Sequence, residues 1–316
     1  MITHIGLAPL PTDNYCKSTP TRMLEQEDPR STDNKDVCRG TFAEIKTMLK
    51  QEEQYICRDY YGLKGTKMTR GAIDMVSCRA KVCQWIFHTA DCARFNRETA
   101  IVAMSLMDRF LSLSSPRAKK TDHDRREYQL VALTSLYIAV KISEPIGMNP
   151  TTISHLSRGH QTEQDIISCE REILSSLRWK VNGPTPFQFT RCILDLLPDS
   201  TGPAVAPKLC GDSHRQIEVA VGDYAFVPLR RSSIAVGAII NSLENVAQED
   251  LSVEEKIQFI QLISDAFDLD LNSPKSLVNA VRKRLLDRSA KYGISSRCEL
   301  SQDQVAYNTK CNGDKE

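Results

Sequence analysis

The sequence predicts an all-α protein whose helices form two domains in tandem. Apolar residues recur at helical spacing through most of the region 41–289, and the strict alternation expected of half-buried strands is nearly absent. Pro116, Pro145, Pro150 and Pro184 fall between these periodic segments, where they would end helices. The length of 316 residues, 41% of them hydrophobic, is enough for two ordinary cores and loose ends.

The N-terminal part is predicted to be a disordered arm over residues 1–37, because it is rich in Thr, Asp, Pro and Arg and has no helical or strand period. One amphipathic helix is predicted over 41–61, where apolar residues such as Phe42 and Ile45 keep helical spacing. A glycine-containing loop follows, so residues 38–71 are expected to form an N-terminal helix and loop.

The region 72–197 is predicted to be the first helical domain. Its apolar periods are joined by short polar turns, and prolines lie in those turns. A long charged loop at 114–127 separates the second and third helices and contains no apolar anchor. The predicted helices of this domain are 72–90, 97–113, 125–143, 151–157, 163–178 and 186–196.

The region 198–290 is predicted to be a second helical domain. Three prolines and two glycines at 198–211 indicate a linker or a long interdomain loop. The small and apolar composition of 232–243 is similar to that of 130–141, which leaves open whether the two domains arose by duplication. A polar tail over 291–316 is predicted to be disordered. The predicted helices of this domain are 213–224, 231–247, 253–268 and 274–289.

The overall composition argues against several classes of protein. The net charge is +1, so no long-range field draws the chain to nucleic acid or to an anionic membrane. The N-terminus lacks the basic start and apolar core of a signal peptide, and the longest apolar stretch, 130–140, is far shorter than the roughly 20 residues that span a bilayer. We therefore expect an intracellular, soluble protein with a protein partner.

The sequence also lacks the usual signatures of an enzyme, a metal site or a cofactor site. It contains no G-x-x-x-x-G-K-[ST] phosphate loop, no H-E-x-x-H zinc motif and no G-x-S-x-G nucleophile elbow. Its six histidines are scattered, and its eleven cysteines form no C-x-x-C pair. Cys78, Cys83, Cys169 and Cys192 lie in apolar periodic segments, so they are predicted to be buried, reduced thiols. We expect no catalytic residue, no metal and no cofactor.

Two charges on apolar helix stripes are predicted to form a structural ion pair. Arg79 shares its face with apolar residues of the first helix of the first domain, and Asp108 lies between Met104 and Leu111 on one face of the second helix. Removing one member of a buried pair typically costs ~3–5 kcal/mol, because the other charge is left buried and unpaired. We therefore expect Arg79 and Asp108 to pair in the core.

Two further charges, Lys141 and Glu170, leave two interpretations open. Lys141 ends a helix that is apolar on every side over 130–140, and Glu170 lies on the stripe that includes Ile166 and Ile173. In the first interpretation, Lys141 extends to water near the helix C-terminus and Glu170 lies at the edge of the core. In the second, both line a surface that becomes dry only when a partner covers it, where each makes charge-assisted hydrogen bonds.

Four segments in register resemble the cyclin box: "CRAKVCQWIFHTA", "FNRETAIVAMSLMDRFLSL", "YQLVALTSLYIAVKISEP" and "ISCEREILSSLRWKVNGPTPFQF". The resemblance covers about residues 72–197, and the segment 217–243 is more faintly similar to the start of the family's C-terminal domain. It implies two cyclin-like five-helix bundles in tandem, in each of which the other helices surround the third. That arrangement would explain why 130–140 is apolar all round.

The resemblance implies a function without chemistry on this chain. The protein would bind a cyclin-dependent serine/threonine kinase, hold its αC helix in the active position and so regulate the cell cycle. In the family, the residues at the positions of Lys141 and Glu170 contact the kinase beside αC, and we expect Ile142, Glu144 and Leu174 to share this contact. The expected locations are the nucleus and the cytoplasm. A cyclin-fold transcription factor or a transcription-associated cyclin is the alternative.

The resemblance also implies a groove on the first domain where substrates or inhibitors with docking motifs bind. Two positions depart from the family pattern. Lys81 stands where a branched apolar residue is usual, and His88 stands where an acidic residue often recognises a basic motif, so we expect a standard basic motif to bind weakly. A core aromatic is the alternative role for Trp85. The predicted groove residues are Cys78, Val82, Trp85 and Gln129.

Overall fold

The computed structural model confirms that the protein is all-α, because the described residues form helices joined by turns and include no β-strand. The residues that the structure describes are 34–62, 70–113, 115–269, 271 and 276–291. The predicted disorder at 1–33 and 292–316 lies outside these residues. Among the helices described, none is both long and apolar enough to cross a membrane.

The described part of the chain contains twelve α-helices, and seven of them begin at a side chain that accepts a backbone hydrogen bond. The helices are α1 (Asn34–Glu52), α2 (Arg70–Ala93), α3 (Arg97–Leu111), α4 (Pro116–Lys120), α5 (Arg125–Ser143), α6 (Pro150–Leu156), α7 (Glu163–Ser176), α8 (Pro186–Leu194), α9 (Val205–Gly222), α10 (Arg231–Leu243), α11 (Val253–Phe267) and α12 (Leu277–Lys291). Short 3-10 helices follow α1 at Glu53–Tyr55 and α9 at Tyr224–Phe226.

The first bundle consists of α2, α3, α5, α6 and α7, and α5 lies at its centre. α5 packs against α3, α6 and α7, and every residue from 130 to 140 is buried. A helix surrounded by protein has no wet face, which is why this sequence is apolar or small all round. Asp124 starts the helix by accepting from the backbone N–H of Arg126.

The charged loop at 114–127 has an anchor that its composition did not indicate. It contains α4, whose Ala118 is buried. Arg117 of α4 forms ion pairs with Glu127 on α5 and Glu172 on α7. These ion pairs hold the loop against the first bundle.

The second bundle consists of α8 to α12, arranged around α10. α10 packs against α8, α9 and α12, with a smaller contact to α11, and its residues 232–243 are buried. Gly237 permits the close approach of α12, since a Cβ there would lie 3.2 Å from Cγ1 of Val281 and 3.5 Å from Cδ1 of Leu285. The tandem five-helix bundles expected from the sequence are therefore present.

The boundary between the bundles differs from the predicted one. The predicted first domain ended at residue 197, but α8 packs against α9 and α10, and its Phe189 is fully buried in the second core. The predicted linker at 198–211 contains the first residues of α9. The chain crosses between the bundles before α8, because Thr185 and Pro186 start a new helix with a capping box.

The N-terminal helix packs on the second bundle, although it precedes the first bundle in the sequence. α1 contacts α8 and α11, and its Ile45 and Met48 are buried in the second core. α1 begins at Asn34, inside the predicted disordered arm, and ends at Glu52, well before the predicted end at residue 61. Beyond the 3-10 helix, residues 56–62 are not helical.

Candidate functional site

The C-terminal end of α5 is where the most deeply buried helix of the first bundle reaches the surface. Val140 is fully buried, whereas Lys141 and Ile142 are exposed. The helix therefore passes from core to surface within one residue. Lys141 is the first charge after the buried stretch.

Lys141 and Glu170 form an ion pair at this surface. Lys141 Nζ donates to Glu170 Oε1 at 2.7 Å, and the side chains are 44% and 14% exposed. Nζ also lies 4.9 Å from the centroid of the Tyr137 ring. The hydrogen bond with Glu170 raises the pKa of Lys141 above its usual value. The pair combines parts of both interpretations, since Lys141 reaches solvent but Glu170 holds it in one place.

Ile142 and Leu174 flank the ion pair on α5 and α7. Ile142 is 42% exposed, and Ile146, just beyond the end of α5, is 69% exposed. Leu174 lies one helical turn beyond Glu170 and is half-buried against the first core. Neighbouring exposed aliphatic side chains offer apolar surface that a partner could cover. Their contact with a kinase stays a prediction.

Glu144 has a role within the chain that the sequence did not indicate. Its Oε1 accepts a hydrogen bond from the backbone N–H of Asn96 at 2.9 Å and another from the hydroxyl of Thr99. The carboxylate thus lies at the start of α3, where negative charge is favourable, and ties α3 to the end of α5. We assign Glu144 to positioning these helices, and its contact with a kinase stays a prediction.

Arg79 and Asp108 lie together in the interior. Arg79 Nε donates to Oδ1 at 2.8 Å and Nη2 donates to Oδ2 at 2.7 Å, and the two residues are 1% and 6% exposed. Arg79 Nη1 donates to the carbonyl of Val221 at 2.9 Å, and Tyr60 donates its hydroxyl to Oδ1 of Asp108 at 2.7 Å. The pair therefore joins α2 and α3 to the segment after α1 and to the end of α9.

One of the predicted groove residues lies in the core. Val82 is 1% exposed, so it cannot line an open groove, and its assignment to the groove is wrong. The physical reason is that Val82 belongs to the stripe of α2 that packs into the first core, against α3. Cys78, Trp85 and Gln129 are half-buried. Trp85 packs against the first core, in line with its alternative role.

The outer face of α2 is polar. Lys81 and His88 are exposed, and His88 Nε2 lies 3.5 Å from Sγ of Cys92. No group of His, Cys, Asp and Glu within the described ranges could hold a metal ion. Cys83 and Cys169 are buried, and burial raises the pKa of their thiols to about 12 and about 11. These thiols are unreactive core residues.

Three charges between the bundles were not singled out in the sequence. Glu52 is 2% exposed and accepts from the backbone N–H of Ser232 at 2.8 Å and from its hydroxyl at 2.7 Å, so it caps α10. Arg109 and Arg231 come together from the two bundles near the same place. The available signals were the charge directly after Asp108 and an arginine at the first residue of a helix that is otherwise uncharged.

Comparison with known proteins agrees with the division of the chain into two helical bundles. The family model described as "Cyclin, N-terminal domain" matches residues 44–182. The match begins within α1 and ends just before α8. It therefore agrees with the boundary that helix packing places before α8.

Several cyclins are distantly similar to this chain. The G2/mitotic-specific cyclin S13-7 of Glycine max is 27% identical over 162 residues, which are 51% of this chain and 58% of that protein. The G2/mitotic-specific cyclin-B2 of Macaca fascicularis is 25% identical over 200 residues, or 60% of this chain and 47% of that protein. The X-ray structure of a viral cyclin from herpesvirus saimiri aligns with a TM-score of 0.47 and 16% identity, covering 73% of this chain and 96% of that chain. The chain spans about half the length of these two curated relatives.

Proposed function

We propose that this chain is a member of the cyclin family and that it binds and activates a cyclin-dependent serine/threonine kinase, because residues 44–182 match the family model and the similar proteins are cyclins. In this proposal the chain is a non-catalytic regulatory subunit, as cyclins are, and the kinase performs the chemistry. The observation that carries the proposal is the exposed pair of Lys141 and Glu170 at the end of α5, with Ile142 and Leu174 beside it.

The proposed mechanism is a shift in the conformational population of the kinase. A protein kinase positions ATP only when its β3 lysine pairs with the αC glutamate. In the complex, the hydrogen bond between Lys141 and Glu170 weakens, and both side chains form hydrogen bonds to the kinase backbone beside αC. These bonds form only when αC is in its active position, so they favour the active conformation.

The energies indicate that the ion pair does not act alone. Hydrogen bonds to charged groups contribute ~1.5–3 kcal/mol each, so two of them contribute about 3–6 kcal/mol. A shift from 1:99 to 99:1 needs about 5.5 kcal/mol of difference between the two states. Ile142 and Leu174 would supply the remainder by burying apolar surface.

We propose that this kinase complex acts in the cell cycle. The relatives from Glycine max and Macaca fascicularis are named G2/mitotic-specific cyclins, which supports a role in division. The proposed locations are the nucleus and the cytoplasm. Substrates or inhibitors would dock near Cys78, Trp85 and Gln129, and a standard basic motif would bind weakly beside Lys81 and His88.

The central test is the double substitution Lys141→Ala with Glu170→Ala, assayed against a panel of recombinant cyclin-dependent kinases. We expect loss of kinase binding and of activation with a nearly unchanged melting temperature, because an exposed pair contributes only ~0–1 kcal/mol to folding. The matched control is Arg215→Ala with Asp212→Ala. It removes another ion pair of similar exposure, 50% and 24%, which lies on α9 in the second bundle, and it should keep kinase binding.

Exchanging the two charges distinguishes a pair that contacts the kinase from a pair that acts only within this chain. Lys141→Glu with Glu170→Lys restores opposite charges within the chain but reverses what a partner meets. We expect kinase binding to stay lost in this variant. Full recovery of binding and activation would mean that the pair acts only within the fold, and it would contradict the proposed surface.

A further inference from the structure

The two bundles form a half-open cavity of about 70 Å³ that is lined by more positive than negative side chains. Both bundles contribute to it, together with the segment that follows α1. Holding one water takes roughly 10–15 Å³ of such volume, so the cavity has room for several waters or one small oxyanion. Its charged lining residues are the arginines Arg79, Arg109, Arg230 and Arg231 and the acids Glu52 and Asp108.

The two acids of the cavity are already engaged. Asp108 holds Arg79 through two hydrogen bonds and also accepts from Tyr60. Glu52 uses both carboxylate oxygens on the backbone N–H and hydroxyl of Ser232. The positive charges of the other lining arginines are therefore not neutralised by either acid through a direct ion pair.

Arg109 is buried without a carboxylate partner among the described residues. It is 7% exposed, and its Nη1 donates to the carbonyl of Lys180 at 2.6 Å. Its guanidinium lies 4.5 Å from the centroid of the Tyr55 ring. Both contacts are to neutral groups. Burial, and then the positive charge of Arg231, lower the pKa of Arg109.

Arg231 faces the same cavity from the second bundle and also has only neutral hydrogen-bond partners in the described part of the chain. It donates to the carbonyls of Pro184 and Tyr55, each at 3.4 Å, and to the hydroxyl of Ser105. Burial lowers its pKa, and the nearby negative charge of Glu52 opposes this shift without forming an ion pair. The positively charged guanidinium groups of Arg109 and Arg231 thus face the same partly dry space. Their mutual repulsion is costly unless an anion lies between them.

We propose that this cavity binds one phosphate-sized oxyanion between Arg109 and Arg231. Guanidinium groups match the geometry of phosphate oxygens and are the side chains best suited to hold them. Because Arg109 belongs to the first bundle and Arg231 to the second, the bound anion bridges the bundles. Arg230 is exposed at the edge of the cavity, where it attracts anions to the entrance. Free phosphate and a phosphorylated side chain share this chemistry.

The test measures binding of inorganic phosphate to the full chain without any kinase, by calorimetry and by the melting temperature. Ionic strength is held constant with gluconate, which is too bulky for the cavity. Arg231→Gln removes one of the two guanidinium groups of the site. Arg231→Lys keeps the positive charge but lacks the planar guanidinium. The matched control is Arg284→Gln, because Arg284 likewise donates to a carbonyl, that of Ala225, and lies over the Phe226 ring, but does not line the cavity.

We expect saturable binding of phosphate and a rise in melting temperature for the unsubstituted chain and for Arg284→Gln. Arg231→Gln should weaken binding at least about tenfold, which is about 1.4 kcal/mol, and Arg231→Lys should lie between. Phosphoserine is the second ligand, and tighter binding than free phosphate would identify a phosphorylated side chain as the source. Absence of saturable phosphate binding, or equal binding by folded Arg231→Gln, would overturn the proposal.

Discussion

The interior pair of Arg79 and Asp108 and the surface pair of Lys141 and Glu170 look alike at short range. Each closest contact is 2.7 Å, and each pair joins two helices of the first bundle. Their surroundings differ, since the side chains of the interior pair are 2% and 9% exposed and those of the surface pair are 44% and 14% exposed. The interior pair also has further partners in the second bundle and after α1. Exposure and shared partners, rather than distance, therefore separate a pair that holds the fold from one that is available to another molecule.

The largest expected effect comes from breaking the interior pair. Asp108→Ala leaves the buried charge of Arg79 and the hydroxyl of Tyr60 without their acceptor. We expect the free energy of unfolding to fall by ~3–5 kcal/mol, measured by urea denaturation. Asp122→Ala, at an exposed aspartate, is the control and should change little. A loss below about 1 kcal/mol for Asp108→Ala would remove the distinction between the two regions.

A backbone substitution at the junction tests the interior region without touching a charge. A Cβ on Gly183 would collide with Cδ1 of the Tyr55 ring, which lies near Arg109 of the first bundle and Arg231 of the second. Gly183→Ala should therefore push the ring aside and cost ~1–3 kcal/mol by overpacking. Gly147→Ala is the control, because nothing lies within 4 Å of its Cβ. Equal melting temperatures for the two variants would show that the Tyr55 ring moves aside without loss of stability.

A smaller effect is expected from the third partner of the interior pair. Tyr60→Phe removes one hydrogen bond of 2.7 Å to Asp108 and leaves Arg79 in place. The expected loss is about 1 kcal/mol, the usual net value of a hydrogen bond, or somewhat more because the acceptor is charged. Denaturation of the double variant with Asp108→Ala sharpens this result. The two losses should be less than additive if Tyr60 and Arg79 share Asp108.

The smallest effect on folding is expected at the surface pair. Lys141→Ala with Glu170→Ala should change the free energy of unfolding by less than about 1 kcal/mol, and high salt should shrink even this difference by screening. Thermal melts at low and high salt measure it. A loss as large as that of Asp108→Ala would place Lys141 and Glu170 among the residues that hold the fold.

The sequence predicted the elements whose pattern is local. The apolar run at 130–140 became the central helix α5 because a helix without a wet face must be surrounded. The predicted boundary at residue 197 rests on the prolines and glycines of 198–211, whereas helix packing places the boundary before α8. The stronger signal was the capping box at Thr185, whose helix packs forward onto the second bundle.

The candidate site was predictable in part for the same reason. Lys141 and Glu170 stand out because a charge interrupts an apolar period, and that signal lies within a few residues. The roles of Glu144 and Val82 depend on which neighbouring helix each side chain faces. The apolar pattern along one helix does not predict which helix that is. Arg109 and Arg231 are far apart in the chain, and only packing of the two bundles brings them to one cavity.

The position of α1 on the second bundle has a consequence for the order of folding during synthesis. α1 leaves the ribosome before the other described helices, but α8 and α11, which it contacts, are made about 130 and about 200 residues later. At 5–20 residues per second, Ile45 and Met48 lack the neighbours that α11 supplies for roughly 10–40 s. The apolar face of α1 is therefore uncovered during the whole synthesis of the first bundle. We expect chaperones to bind this segment of the nascent chain.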